Sequence, residues 1–423
     1  MLQLWFFANT VVWPLSIDVA GMHLQANVVL LIFAGAFVLW KQPKIASSTG
    51  KISLLLFAFI LASLLVAISG PCNDKFEKSV ITAPILLALV FTGLETGRRA
   101  TRRDWLGLTK AATAAIVAAF AVFLLEFLAP KWFPTTARYR VTGRLSGIFQ
   151  EPSVVAFSLF PCVAVLLVSE SRKMRRIGIW ALVGLILISR SSTLIALIAA
   201  WVLYRLAIQR KLRQAVLLIA AIAVLIGLVT VTSYDALLAP TVDRIAGLAL
   251  GDQTQNISSL VYLQGWQDAW SNLIRTHGLG LGFNMMGCHP LPDVPTRTLL
   301  TIGGMGELNA ENGSFQFSKI VSETGILGIM FYAVIVWWWI RLEKKIRILP
   351  DNADRRVKAT QAALMFCFIV SSFIRGVGYF DGGLFLWLIA MSSPSQWQAD
   401  HLSLELAHAS KALSRRMKLG RQA

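Results

Sequence analysis

The chain has 423 residues, of which 56% are hydrophobic and only 15% are charged, and its formal net charge is +18. A soluble protein of this length could not bury so much apolar surface, so the composition indicates an integral membrane protein. A basic surplus is expected in the cytoplasmic loops of such proteins, and it does not indicate nucleic-acid binding. Four scattered cysteines exclude a disulfide scaffold and a cysteine-rich zinc site.

Twelve apolar runs are long enough, or nearly so, to cross a bilayer as helices. The sequence therefore predicts an all-α polytopic membrane protein, with about nine helices in residues 1–232 and about three in residues 315–394. The first run is predicted to be a retained span, because no charged segment precedes it and no small-residue cleavage site follows. The twelve runs lie near 4–20, 24–40, 52–70, 79–95, 106–129, 152–169, 176–189, 191–208, 213–232, 315–341, 358–375 and 379–394.

The distribution of lysine and arginine predicts the orientation of these spans. Most basic residues fall into the loops that are cytoplasmic if both termini are cytoplasmic. The predicted location is thus the bacterial inner membrane, with residues 395–423 as a basic cytoplasmic tail and residues 233–314 as a large periplasmic loop.

The 233–314 loop is the one long polar segment of the chain, and it is far longer than ordinary connections. Trp266 and Trp270 inside it argue against disorder. We interpret the loop as a folded cap and as the place of the chemistry. Its glycine-rich piece includes Gly280 and Gly282, which allow close backbone approach to a ligand. The spacing does not fit a dinucleotide-binding fingerprint, and no βαβ unit surrounds it.

Several arginines lie on the predicted outer side, where the positive-inside bias does not account for them. Two interpretations stay open. Arginine forks suit bidentate binding of phosphate and carboxylate, so several of them could converge on an anionic ligand. Alternatively, they pair with acids of the chain, namely Glu151, Glu323, Asp381 and the acids of the loop.

Three local motifs carry candidate chemistry. In the first, Gly143 to Ser153, Pro152 is placed to begin a helix, and Glu151 either acts as a base, orients an arginine or forms a latch with Arg144. In the second, Ile274 to Phe283, a lone His277 is a structural or a catalytic residue. In the third, Glu311 precedes a span that contains Glu323, and an acid at that depth is a functional-site hypothesis.

The layout and these motifs resemble the O-antigen polymerase (Wzy-like) and O-antigen ligase superfamily. The resemblance rests on Arg144 to Pro152, His277 to Gly282 and Glu323 to Gly328, together with the hydrophobic layout. It implies a GT-C-like glycosyltransferase that is metal-independent and needs no cofactor. Its partners would be undecaprenyl-diphosphate-linked glycans, membrane lipids, a chain-length regulator and a flippase. It also implies a diphosphate-binding role for outward arginines, namely Arg144, Arg190, Arg244, Arg275 and Arg375.

One departure separates polymerase from ligase. Ligases of this superfamily usually carry a His-Asn pair shortly before the helix with the Glu-x-Gly motif, whereas this chain has Glu311-Asn312 there. We therefore expect polymerisation of lipid-linked repeat units, with Glu311, His277 or Glu151 as the base and His289 as a further candidate. The enzymatic alternative is a ligase that transfers polysaccharide to lipid A-core. A flippase or transporter is disfavoured because no repeated halves are visible.

Two cysteines lie in segments that are predicted to be periplasmic, Cys72 and Cys288. An oxidising compartment permits a disulfide between them, which would pin the cap to the early spans. Two unpaired thiols are the alternative.

Overall fold

The computed structural model of the protein describes residues 2–12, 16–19, 22–25, 54, 56–65, 76–133, 145–149, 151–208, 247, 256–287, 291–305, 308–350, 353–375, 378–380 and 382–392. Within these ranges the regular elements are helices apart from one antiparallel hairpin. Its strands are β1 (Ser16–Val19) and β2 (Met22–Gln25), paired in the register Ser16 to Gln25 and Val19 to Met22.

The helices follow the apolar runs of the sequence. In chain order they are α1 (Leu2–Phe7), which continues as a π-helical turn (Ala8–Val12), α2 (Leu56–Leu65), α3 (Phe76–Arg99), α4 (Arg102–Leu106), α5 (Leu108–Leu128), a 3₁₀ turn (Pro130–Trp132), α6 (Pro152–Leu167), α7 (Arg172–Ser189), α8 (Ser192–Ile208), α9 (Ile257–Arg275), α10 (Pro295–Ile302), α11 (Gln316–Thr324), α12 (Ile326–Ile348), α13 (Ala353–Ile374) and α14 (Gly382–Ser392).

Four helical segments of the described residues are long and apolar enough to cross a membrane. They are Ser79–Arg99, Arg102–Leu128, Ile326–Ile348 and Ala353–Ile374, and the helices α2, α6, α8 and α14 are apolar but shorter. The predicted helical, membrane-associated character is confirmed at this level. The count of twelve spans and the periplasmic loop remain predictions. The run 213–232 and the tail 395–423 lie outside the described residues, and so does the run 24–40 apart from its first two residues, which belong to β2.

Helix α6 is the centre of the bundle. Nearly all of its side chains are buried, and it packs against α5, α7, α8 and α13. Pro152 occupies its first turn, where the missing N–H removes no helical hydrogen bond. By contrast, α12 exposes Val334, Trp337 and Trp338, which is the pattern of a lipid-facing helix. The bundle therefore has an interior built on α6 and an apolar outer surface.

Two predicted spans are wrong in part. In the first, 4–20, the described residues are helical as far as Val12 and form strand β1 from Ser16. The run 315–341 is not one helix either, because it breaks at Gly325 between α11 and α12.

The ends of the bundle differ in charge. At one end, Arg102 contacts Asp354 at 3.5 Å, and Arg356 contacts Glu170 at 2.6 Å. These pairs join the α3–α4, α6–α7 and α12–α13 connections, which are rich in arginine and lysine, so we call this the basic end. At the other end α6 begins and α13 finishes, and we call it the site end.

Part of the polar 233–314 segment forms α9 and α10, which pack on each other. Helix α9 also packs on α11. The Tyr262 hydroxyl donates to the carbonyl of Phe373 at 2.9 Å, and the Trp266 ring lies against Phe315 and Phe317. Aromatic contacts therefore hold α9 against the site end of the bundle.

Candidate functional site

Glu323 is the most heavily bonded acid of the site end. It lies in the last turn of α11 and is fully buried. One carboxylate oxygen accepts from the backbone N–H of Asn284 at 2.8 Å and from the Tyr379 hydroxyl. The other accepts from the N–H of Met286 at 3.0 Å and from Lys319 Nζ at 3.0 Å. With four donors, this carboxylate is a structural hub that joins α11, the glycine-rich loop and the α13–α14 link.

The glycine-rich loop docks on the break between α11 and α12. The N–H groups of Leu281 and Gly282 donate to the carbonyls of Ser322 and Glu323, both at 2.9 Å. A side chain on Gly280, which has φ +82°, would collide with the Glu323 backbone, and one on Gly325 would collide with the Gly278 carbonyl. The close approach observed at Gly280 is therefore to the protein's own backbone, and close approach to a ligand stays a prediction.

Lys319 connects this hub to the third motif. Besides Glu323, its ammonium donates to the backbone carbonyl of Glu311 at 2.7 Å and lies 5.6 Å from the centroid of the Tyr379 ring. Burial, and after it the Glu323 carboxylate, raises the pKa of Tyr379 well above its ordinary value, so this phenol stays protonated as a donor. Glu311 itself is exposed. The third motif is therefore linked to Glu323 by the backbone carbonyl of Glu311, which accepts from Lys319, and not by the Glu311 carboxylate.

Glu151 and Arg375 form an ion pair at the site end. Glu151 precedes α6 in an extended conformation, and Arg375 follows α13. The side chains are 29% and 30% exposed, so the pair is accessible from outside the bundle. Of the roles considered for Glu151, the structure favours orienting an arginine. The arginine concerned is Arg375, and the pairing interpretation of the outward arginines is correct for these two residues.

Arg190 differs from Arg375 because part of its guanidinium has no protein partner. It caps α7 in a left-handed conformation with φ 43°, and its Nε–H is buried and donates to no described residue. The hydroxyl oxygens of Ser146, Ser153 and Ser191 are also buried without a hydrogen-bond partner among the described residues. Buried polar atoms usually have a partner, so such a group indicates that a ligand or water completes it.

The turn beside Arg190 is held in place by an acid that our sequence analysis missed. Glu126, fully buried at the end of α5, accepts from the N–H groups of Ser146 at 3.0 Å and Gly147 at 2.6 Å. The N–H of Leu145 donates to the carbonyl of Ile188 at 3.1 Å, which ties the turn to the end of α7. An acid inside the apolar run 106–129 was the available signal, and it is the same signal that singled out Glu323.

His277 and Arg275 mark the end of α9. The N–H of Gly278 donates to the carbonyl of Leu273 at 2.8 Å, and that of His277 to Ile274 at 3.0 Å. This is a Schellman motif, and it explains the left-handed φ of 50° at His277. The side chains of His277 and Arg275 are exposed, and Arg275 Nη2 donates to Asn272 Oδ1 at 3.0 Å.

Within the cap, a buried ion pair fastens α10 to α9. Arg297 Nη2 contacts both carboxylate oxygens of Asp268, at 2.8 and 2.7 Å, and Arg297 Nε donates to the carbonyl of Pro292 at 3.1 Å. Burial raises the pKa of the Asp268 carboxyl, and the Arg297 guanidinium opposes the rise. This pair agrees with the second interpretation of the outward basic residues, in which they pair with acids of the loop.

The structure brings some predicted site residues together and leaves others apart. Glu151 forms an ion pair with Arg375. Gly280 and Gly282 contact the backbone of Glu323 at the break between α11 and α12. In the described ranges no hydrogen bond or ion pair links Arg190 to Glu151 or Arg375. Arg144, Arg244, His289, Cys72 and Cys288 lie outside the described residues.

The same ranges contain no group of three or more His, Cys, Asp or Glu side chains able to hold a metal ion. No protein-family model matches the chain, and no curated protein is significantly similar to it.

Proposed function

We propose that the protein is a membrane glycosyltransferase that polymerises undecaprenyl-diphosphate-linked oligosaccharide repeat units at the periplasmic face of the inner membrane. In this reaction a hydroxyl of the acceptor unit attacks the sugar carbon that carries the diphosphate of the donor. The bond to the diphosphate breaks, polyprenyl diphosphate leaves, and a base takes the proton of the hydroxyl. The protein must therefore stabilise negative charge on the leaving group.

The observation that carries the proposal is the buried, unpartnered Nε of Arg190 together with the unpartnered hydroxyls of Ser146 and Ser191. A diphosphate supplies oxygen acceptors for such donors, and an arginine fork binds them bidentately. A buried donor left without an acceptor is costly, and the positive charge of the guanidinium favours an anionic acceptor there. Arg375, oriented by Glu151, is the second cation that we place against the substrate.

The charge difference between the two ends supports the orientation. Basic ends face the cytoplasm in membrane proteins, so the site end would face the periplasm, where lipid-linked units are joined. The base remains open among Glu311, His277 and Glu151. His277 and Glu311 are exposed and accessible to an acceptor, whereas Glu151 is engaged with Arg375.

Deleting the gene and separating the surface polysaccharide on a gel tests the proposal. A polymerase defect leaves caps of a single repeat unit on lipid A-core. Bare lipid A-core would instead indicate a ligase. Loss of polymer with lipid-linked units stalled in the inner leaflet would indicate a flippase. Complementation with Arg190→Ala or Arg375→Ala should leave the single-unit caps, and complementation with Arg172→Ala, an exposed arginine of the basic end, should restore full length.

A further inference from the structure

The basic end contains a cavity of ≈ 380 Å³ that the proposed reaction does not use. It lies where α6, α8 and α12 end and where α7 and α13 begin. Pockets of this size are typical of small-molecule and headgroup sites. Its charged lining consists of Arg175, Arg205, Arg347, Arg355, Arg356, Glu170 and Glu343.

The charged side chains of the lining carry a surplus of positive charge. Five arginines face two glutamates, which leaves three positive charges in excess. Glu170 forms an ion pair with Arg356 at 2.6 Å. The Glu343 carboxylate accepts from the Tyr204 hydroxyl and interacts electrostatically with Arg205 and Arg347 at longer range. Within the described residues, neither Arg175 nor Arg205 nor Arg347 makes a hydrogen bond or ion pair with the protein.

Membrane topology alone does not require this geometry. Arginines that only set orientation are free to spread over the surface, as the exposed Arg172 and Arg176 do. Here five of them line one concave space between apolar helices, and although Arg175, Arg347 and Arg356 are exposed, their like charges repel one another across it. A bound anion relieves that repulsion, and phosphate oxygens match arginine forks.

The surroundings of the cavity favour a lipid as the source of the phosphate. Ile348, next to Arg347, is 84% exposed, and Trp338 and Ile340 are exposed on the same helix. Acyl chains can therefore lie along α12 while a headgroup occupies the cavity. Basic pockets between membrane helices bind anionic headgroups in this way. We propose that this cavity binds the phosphate headgroup of an anionic phospholipid.

Native mass spectrometry of the full-length protein in detergent tests this proposal, with phosphatidylglycerol, phosphatidylcholine and inorganic phosphate as separate probes. We expect phosphatidylglycerol to be retained and the Arg205→Gln/Arg347→Gln variant to retain it at least tenfold less. The matched control is Arg172→Gln/Arg176→Gln, which removes the same charge from the same end without touching the cavity and should bind as the wild type does.

A second variant guards against misfolding of the first. Ala359 lines the cavity from α13, so Ala359→Trp fills the space and keeps every arginine. It should lose phosphatidylglycerol as well. The site would be overturned if the wild-type protein retained phosphatidylcholine as well as phosphatidylglycerol. It would also be overturned if both cavity variants retained phosphatidylglycerol at the wild-type level. Retention of inorganic phosphate at millimolar concentration, with no phospholipid retained, would show a site for soluble phosphate and overturn the lipid assignment.

Discussion

At the scale of single residues, the site end contains two kinds of charged side chain. Glu323 and Lys319 are buried and fully bonded, and they maintain the structure. Arg190 and the Glu151–Arg375 pair are placed at helix ends, with an unpartnered donor in one case and partial exposure in the other. We therefore expect stability and activity to depend on different residues.

Glu323→Ala should destabilise the protein by about 3–5 kcal/mol, because it leaves Lys319 and two backbone N–H groups buried without their acceptor. Thermal unfolding in detergent measures this. The control is Glu170→Ala, which breaks the half-exposed pair with Arg356 and should cost about 0–1 kcal/mol. Equal melting temperatures for the two variants would show that Glu323 is not a hub.

Glu151→Gln should lower polymer formation by a factor similar to that of Arg375→Ala, about 100-fold, because either change disorders the same guanidinium. The double variant should be little worse than either single variant, since residues that act as a unit are not additive. Measured chain-length distributions decide this. A double variant in which the two losses multiply would mean that Glu151 acts separately, as a base.

At the scale of elements, the break between α11 and α12 is the feature that organises the site. Gly325 ends α11 with φ +60°, and the glycine-rich loop fits into the opening. The break places Glu323 at a helix end, where its carboxylate reaches the loop amides.

Gly280→Ala tests this docking. It should destabilise the protein by several kcal/mol, because the new methyl meets the Glu323 backbone and the residue keeps a left-handed φ. Gly304→Ala is the matched control, since Gly304 has φ +73° with nothing near its Cβ position. It should cost only the conformational strain, about 1–2 kcal/mol. Similar losses for both variants would contradict close docking of the loop.

The sequence predicted individual helices well where an apolar run was uninterrupted, as in α5 and α8. It failed where the described structure departs from one continuous helix, at strand β1 within 4–20 and at Gly325 within 315–341. Hydrophobicity averaged over a window is insensitive to a local change in backbone conformation, so it indicated neither interruption. The candidate arginines were visible because they oppose the charge bias.

The partners of these residues could not be predicted in the same way. Glu151 and Arg375 are separated by 224 positions along the chain, and Glu126 binds amides 20 and 21 residues away. Such pairs depend on how α5, α6 and α13 pack. A single sequence shows which charges need a partner but not which partner they find.

At the scale of the whole molecule, the basic end and the site end are proposed to lie on opposite sides of the membrane. The basic end would face the cytoplasm and the site end the periplasm. A reporter active only in the periplasm should work when it is fused after Gly251, and it should be silent after Asp351, beside the arginines of α13. The reverse pattern would place the site end in the cytoplasm and remove its access to periplasmic substrates.

The most direct test of the central claim is polymerisation by the purified protein. Proteoliposomes would receive undecaprenyl-diphosphate-linked oligosaccharides extracted from the producing strain, and glycan length and released undecaprenyl diphosphate would be measured together. We predict a ladder of longer glycans with one diphosphate lipid released per bond, about 100-fold slower with Arg190→Ala and unchanged with Arg172→Ala. An undiminished rate in Arg190→Ala, or no ladder from the wild-type protein, would contradict the account.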